Sequence, residues 1–245
     1  MMDFVWVYIH EPSDYAKTGR FYELDYSIRS VRQNYLGNCR LFVVGDDPQL
    51  EGVIYLPCER ITSSPRGYVR HFDQVKKLKE VLKHVSDEFV LMYDDIYILQ
   101  PTIKRELKKF YAKGMIDDIE EYIGQIKGSN PYKKTWLNTY TRIQEFRDDL
   151  WEWETHLPRY FESAKLDYII DKYNLERVAY LLYSLYAAEF CETPELVTDE
   201  VQQEVIEYAP HHTDWEKTFS ARHLNLYDDG LSQEFINEMK KRFGD

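Results

Sequence analysis

The sequence predicts an α/β protein: a mostly parallel sheet with flanking helices and a helical C-terminal portion. Two observations carry this. Over roughly the first hundred residues, apolar runs rich in β-branched and aromatic residues alternate with helix-spaced stretches, in the order strand, helix, strand, strand, helix, strand. That alternation is the pattern of a mostly parallel sheet covered on both faces. The second is the segment Asp87–Leu99, where the apolar runs Phe89–Met92 and Ile96–Leu99 flank two adjacent carboxylates, Asp94 and Asp95. Two unpaired neighbouring charges inside a buried strand would each cost several kcal/mol or go neutral. The strand is therefore expected to end at Tyr93, with the pair at its carboxyl edge, where ligands bind in open α/β sheets.

The elements follow in order. Asp3–His10 reads as the first strand, buried on both faces, and Glu11–Asp14 breaks it at a turn. From Phe21 to Tyr35 the positions Leu24, Ile28, Val31 and Tyr35 share one helical face, and Gly37-Asn38 stops the helix. Cys39–Val44 and Gly52–Leu56 are the next strands. Residues 61–66 form a polar loop leading into a helix from about Gly67 to His84, with Val75, Leu78 and Leu82 as its stripe. After Pro101 come Lys104, Arg105, Lys108, Lys109 and Lys113, a basic segment that either supports a phosphate site or is a solvated helix face. Residues 115–150 read as an insertion or lid carrying Trp136. A helical pattern runs from Phe161 to Glu189 with a break near Asn174, another spans Thr198–Tyr208, and a last helix ends at Phe243. The expected organisation is an α/β core over 1–114 for a nucleotide-bearing ligand. Residues 115–245 form a helical and C-terminal portion packed on it as one unit.

Composition limits the partners. The chain has 245 residues, enough for one large domain, and a formal net charge of −12. That charge disfavours a general nucleic-acid surface, which relies on Lys and Arg against phosphates. No apolar stretch is long enough for a membrane span, and the N-terminus lacks a basic region followed by an apolar run. Cys39, Cys58 and Cys191 are scattered and carry no metal-site spacing, which fits reduced thiols in a cytoplasmic protein. The 21 tyrosines suit either a half-wet cleft or an aromatic core rim.

The sequence after the first strand has neither Gly-x-Gly-x-x-Gly nor a Walker-type lysine, so a dinucleotide fold and a P-loop are both disfavoured. Asp94 and Asp95 suit a hard cation, Mg²⁺ or Mn²⁺, that takes oxygen ligands and fills its shell with water and substrate phosphates. They equally suit a solvated turn ending the strand.

Four stretches then resemble the Stealth family of capsule-type and lysosomal-type sugar-phosphate transferases. Glu23-Leu-Asp-Tyr-Ser-Ile-Arg-Ser30 is similar to that family's Glu-Leu-Arg-Tyr-Ser-Leu-Arg-Ser helix start. Tyr93-Asp94-Asp95 is similar to its Asn-Asp-Asp strand end, with Tyr for Asn. Thr155-His156-Leu157-Pro158 is similar to its His-Met-Pro segment, followed by an aromatic helix around Glu176–Tyr186. Leu224-Asn-Leu-Tyr-Asp-Asp-Gly230 resembles its C-terminal Asn-Asp stretch. More broadly, the first half looks like a GT-A glycosyltransferase. Where the family opens with Tyr-Thr-Trp-Val-Asp/Asn-Gly, this chain has Trp6-Val-Tyr-Ile-His-Glu-Pro-Ser-Asp14. That departure favours ordinary sugar transfer from a nucleotide sugar over transfer of the sugar with its phosphate.

The resemblance implies a metal-dependent glycosyltransferase with a nucleotide-sugar donor and a glycan or other hydroxyl acceptor. A hydroxymethylated nucleic-acid base is an acceptor that the charge disfavours, and a non-catalytic glycan- or nucleotide-binding relative is a further alternative. It places Asp94 and Asp95 on the metal and Asp95 and His156 in catalysis, His156 as general base or phosphate contact. His223, His211 and His212 are candidates for a third metal ligand. Donor contacts are expected from Arg29, unless it only pairs with Asp25, and from Asp46, unless it only makes an Asp-Asp-Pro turn. Arg70, Asp73 and Arg177 complete the expected donor set.

Overall fold

The computed structural model describes residues 1–10, 22–64, 67–126, 128–206 and 214–244. Its central sheet has five strands: β1 (Met2–Tyr8), β2 (Cys39–Gly45), β3 (Ile54–Pro57), β4 (Glu88–Met92) and β7 (Arg159–Glu162). Their order across the sheet is β3-β2-β1-β4-β7. The first four run parallel, and β7 lies antiparallel along β4. The chain moves outward from β1 to β2 and β3, then returns to place β4 on the other side of β1. The sheet's switch point therefore lies between β1 and β4. Trp6 sits opposite Met92, and Tyr8 opposite Gly45, so these strand ends share one edge.

Alternation along the strands divides the core into two layers. Phe4, Trp6, Val43, Val90 and Met92 meet Leu24, Ile28 and Val31 of α1 (Glu23–Asn34). Val5, Phe42, Val44, Phe89 and Leu91 face Val75, Leu78 and Val81 of α2 (Val69–Val81). Two short helices follow, α3 (Lys104–Leu107) and α4 (Ile119–Gln125). The second layer also takes in α5 (Asn130–Gln144), α6 (Ser163–Lys172) and α7 (Leu182–Phe190). Each buried side chain of this kind stabilises by about 1.5–3 kcal/mol over its exposed state.

The apolar run around Asp94-Asp95 is two strands. β4 ends at Met92, and Tyr93–Asp95 form a turn leading to β5 (Ile96–Ile98). β5 belongs to a second sheet with β9 (Gln202–Val205) and β10 (His223–Leu226), and β10 lies in its middle. Tyr97, Leu99, Leu224 and Leu226 pack there against Phe235 and Met239 of the last helix, Gln233–Phe243. A short parallel pair, β6 (Tyr111–Ala112) with β8 (Glu195–Leu196), stands apart from both sheets.

Two expectations are corrected. Thr198–Tyr208 is not a helix: Gln202–Val205 is strand β9, paired in parallel with β10, and Tyr208 lies outside the described residues. Its Gln and Glu are good helix formers, but the open edge of β10 supplies a backbone ladder that overrides local preference. Trp136, on the segment expected as an insertion or lid, is 3% exposed and stacks on Tyr140 at 5.4 Å between ring centroids. The break at Asn174 is present, with φ +50°, but the helical stretch before it opens with strand β7 over Arg159–Glu162. The main sheet thus draws its fifth strand from beyond residue 114, and the two portions share one sheet. Among the described residues, no helix is long and apolar enough to cross a membrane.

Candidate functional site

The carboxyl edge of the sheet is built in three parts. The first joins the ends of β1 and β2. Asp46, one residue past β2, accepts from His10 N at 2.8 Å and from Arg60 Nε at 2.8 Å. Arg60 Nη2 also reaches Asp46 and donates to His10 O at 3.1 Å. The Arg60 guanidinium holds the Asp46 carboxyl below the usual range, against its partial burial. The His10 ring meets Tyr8 Oη at 2.8 Å. A carboxylate and a guanidinium thus link three strand ends that the sequence spaces far apart.

Beneath this lies a buried pair. Lys77, fully buried on α2, is 2.6 Å from Asp73 and donates to Tyr8 O at 3.2 Å. Asp73 Oδ1 accepts from Ile61 N at 2.7 Å. The pair braces the segment carrying Arg60, and Asp73, 2% exposed, lies under the edge and not on its surface. Gly45 gives the pair its room. Its φ is +125°, and a Cβ there would stand 2.2 Å from Tyr8 O and 2.9 Å from Lys77 Cε.

The second part is the Tyr93–Asp95 turn. Ile96 N closes it onto Tyr93 O at 3.2 Å. On one side Ser27 Oγ donates to Ile96 O at 2.6 Å, with Tyr93 O 3.2 Å away, and accepts from Trp6 Nε1 at 2.9 Å. On the other side Asp95 O accepts from Leu226 N at 2.9 Å and from Asn225 Nδ2 at 3.3 Å. Asp94 and Asp95 are half-buried, on a backbone clamped from both sides.

The third part is a cation from β7. Arg159 Nη2 donates to Glu154 at 2.7 Å, and Nη1 to Tyr93 Oη at 3.3 Å. Its guanidinium lies 5.4 Å from the Tyr93 ring centroid and 4.9 Å from that of Tyr183. Gln74 Nε2 completes Tyr93 Oη at 2.8 Å, and Ser184 Oγ donates to Glu154 at 2.7 Å. Burial works against the charge on Arg159, and Glu154 more than offsets it. The ring of His156 lies 5.3 Å from Tyr227, the residue after the Leu226 that bonds Asp95. Burial, then Arg159, lowers the His156 pKa, so the imidazole is neutral at pH 7.

The remaining expected residues fall elsewhere. Arg29 is 2.7 Å from Asp25 and reaches Phe243 O at 3.4 Å, which ties α1 to the C-terminal helix. Arg70 is exposed on the first turn of α2. Arg177 is exposed beside a separate groove described below. His223 is 3% exposed and opposite Ile98, three residues from Asp95 along the strand. The ladder positions beside the turn belong to Asn225, opposite Ile96, and to Leu226, whose N donates to Asp95 O. His211 and His212 lie outside the described residues. In the basic segment, Lys104 and Lys108 pair with Glu88, Lys109 with Glu195 and Lys113 with Glu204, so these four serve ion pairs.

Among the described residues, no three His, Cys, Asp or Glu side chains converge into a metal-holding group. Two adjacent carboxylates still fit Mg²⁺ or Mn²⁺, because such a cation needs only one or two from the protein when phosphates and waters supply the rest.

No family model matches the chain, and no curated protein matches it. Among solved structures, it is similar to the galactosyltransferase LgtC in complex with donor and acceptor sugar analogs. The identity is 10% over 100% of this chain and 97% of that one, with TM-score 0.50. It is also similar to the glycosyltransferase GlyE of Streptococcus pneumoniae TIGR4, at 14% identity, 98% and 60% coverage and TM-score 0.37. A third similarity is to 2-C-methyl-D-erythritol 4-phosphate cytidylyltransferase from Thermus thermophilus, at 10% identity, 80% and 87% coverage and TM-score 0.41. At these identities the likeness is one of fold: a mixed α/β, GT-A-type arrangement of a mostly parallel sheet and flanking helices.

Proposed function

We propose that this chain is a glycosyltransferase, moving a sugar from a nucleotide-sugar donor to a hydroxyl acceptor. The observation that carries the reading is the Asp94–Asp95 turn. It lies at the switch point between β1 and β4, and hydrogen bonds from α1 and β10 fix its backbone. A fixed turn costs little reorganisation when charge develops beside it.

The roles follow from placement. Asp94 and Asp95 would hold Mg²⁺ or Mn²⁺, which supplies positive charge to the diphosphate as it leaves. The Asp46–Arg60–His10 network borders the same edge and suits the nucleoside end of the donor. Arg70 is exposed on α2 and suits a donor contact. The acceptor oxygen forms a bond to the anomeric carbon while the carbon–oxygen bond to the diphosphate breaks. The electron pair leaves with the nucleoside diphosphate, and neutral His156 accepts the acceptor's proton.

The test is thermal stability with UDP, GDP, CDP and ADP, each with and without Mn²⁺, for the wild type and for Asp94→Asn and Asp95→Asn. One nucleotide should raise Tm by roughly 5–10 °C at about a hundred times its Kd, only with metal and only in the wild type. A metal-independent shift, or one that both variants retain, overturns the role of the carboxylates. The released product separates two chemistries: a nucleoside diphosphate reports sugar transfer, and a monophosphate reports transfer of the sugar with its phosphate.

A further inference from the structure

A groove of about 540 Å³ opens beside the carboxyl edge, apart from the Asp94–Asp95 turn. That volume is in the range of small-ligand pockets. Its walls come from the segment at Ile61–Ser64, the start of α2, α5 and residues 176–179. Ile61 follows Arg60, which bonds Asp46, and Phe72 is two residues before Gln74, which bonds Tyr93 Oη. The groove therefore shares its supports with the proposed donor edge on two sides.

Its chemistry is specific. Tyr68 and Phe72 present a half-buried aromatic pair, ring centroids 6.4 Å apart and edge to face. Lys134 and Arg177 are both exposed at the groove, and among the described residues neither makes an ion pair. Most other cations among the described residues are committed to ion pairs: Arg60 to Asp46, Lys77 to Asp73, Lys104 and Lys108 to Glu88, Arg159 to Glu154. Among the described residues, the one carboxylate on the groove wall, Glu176, is 2.9 Å from Lys79. Two uncommitted cations in an acidic protein, beside an aromatic face and the Asn138 amide, suit a polar ring bearing a negative group.

We propose that this groove binds an anionic saccharide carrying a carboxylate or a phosphate, as the part of the acceptor that lies beyond the hydroxyl reacting at the Asp94–Asp95 turn. The acceptor role rests on the transferase reading, whereas the recognition of an acidic sugar rests on the groove itself. Arg177 and Lys134 would contact the anion, and Tyr68 would flank the ring.

The experiment is titration calorimetry on the full chain with methyl glucuronide, glucose 6-phosphate and methyl glucoside, and separately with the nucleoside diphosphate that stabilises it. The variants are Lys134→Gln, Arg177→Gln and Tyr68→Leu, each checked for an unchanged Tm. At least one acidic sugar should bind at least tenfold more tightly than methyl glucoside, and each cation variant should weaken it about tenfold. Whichever of the two binds identifies the anion. Equal binding of methyl glucoside, or acidic-sugar binding unchanged in both cation variants, overturns the proposal. Loss of nucleoside diphosphate binding in those variants also overturns it, because the cations would then serve the donor. A chain that binds an acidic sugar through these residues but no nucleotide sinks the transferase reading and leaves the groove's ligand class standing.

Discussion

Ser27 Oγ donates to Ile96 O at 2.6 Å, across the seam between α1 and the strand after the carboxylate turn. Ser30 Oγ accepts from Ile98 N at 3.0 Å, and Asn34 Nδ2 donates to Ile98 O at 2.7 Å. Positions 27, 30 and 34 share one helical face, so three side chains satisfy backbone that a neighbouring strand would otherwise pair. Replacing Ser27 by Ala leaves Ile96 O and Trp6 Nε1 unmatched and buried. The expected cost is about 1–3 kcal/mol, seen as a Tm lower by about 2–4 °C per kcal/mol. Combining it with Trp6→Phe should cost less than the sum of the single changes, measured by urea unfolding. Strict additivity would show that the two side chains do not act as a unit.

Gly45 is required by its surroundings. Ala at this position meets both an unfavourable positive φ and the Tyr8 carbonyl, which is backbone and cannot swing aside. Gly45→Ala should destabilise by about 2–4 kcal/mol. Because Asp46 follows directly, nucleotide affinity should fall along with Tm. A variant of wild-type stability would contradict the close approach of β1, β2 and Lys77.

His223 makes the fold acid-sensitive. Burial, then the charge of Arg222, pushes its pKa down to about 3. The unfolded chain takes up that proton near pH 6.5, so between the two values the unfolded state binds more protons. Stability is therefore lost as pH falls through that window. His223→Leu removes this contribution, and its Tm should decline less than the wild type's between pH 6.5 and pH 4. Parallel Tm curves for the two proteins would argue against a buried neutral imidazole.

His156 carries the pH dependence of the proposed reaction. Burial and Arg159 lower its pKa, so the neutral form persists below the ordinary histidine range. The acid limb of kcat/KM should have its midpoint under pH 6.5. His156→Gln should lower kcat by about 10²–10⁴ and abolish that limb. A retained limb in the variant would assign the titration to another group.

Much of this architecture was legible in the sequence, because period-2 and helical patterns report burial on two faces of a sheet. The turn at Asp94 and Asp95 was legible for the same reason: charge does not fit inside an apolar run. β9 was not, since Gln202–Val205 becomes a strand only through the partner β10 supplies. The cation beside Tyr93 was hidden as well. Arg159 stands 66 residues away in the chain and reaches Tyr93 because β7 runs antiparallel along β4. Its only local sign is its position directly after His156-Leu157-Pro158. Asp46 is legible as a carboxylate just past a strand, but its bond to Arg60 needs the β3 crossover, which no local spacing reports. The depth of His223 is not legible either, because sequence order near the C-terminus does not fix the β10 register.

The antiparallel strand β7 also sets an order of assembly. Phe89 waits for Phe161, and Leu91 for Arg159, so β4 stays bare on one edge until the chain has extended about seventy residues further. During synthesis at about 5–20 residues per second, that interval lasts several seconds. Over that time an apolar strand offers unpaired backbone to any neighbouring nascent chain. The α5 region between them must close as a long loop before the sheet is complete, which slows folding. Expression yield should thus depend more on temperature and chaperone supply than the stability of the finished protein would suggest.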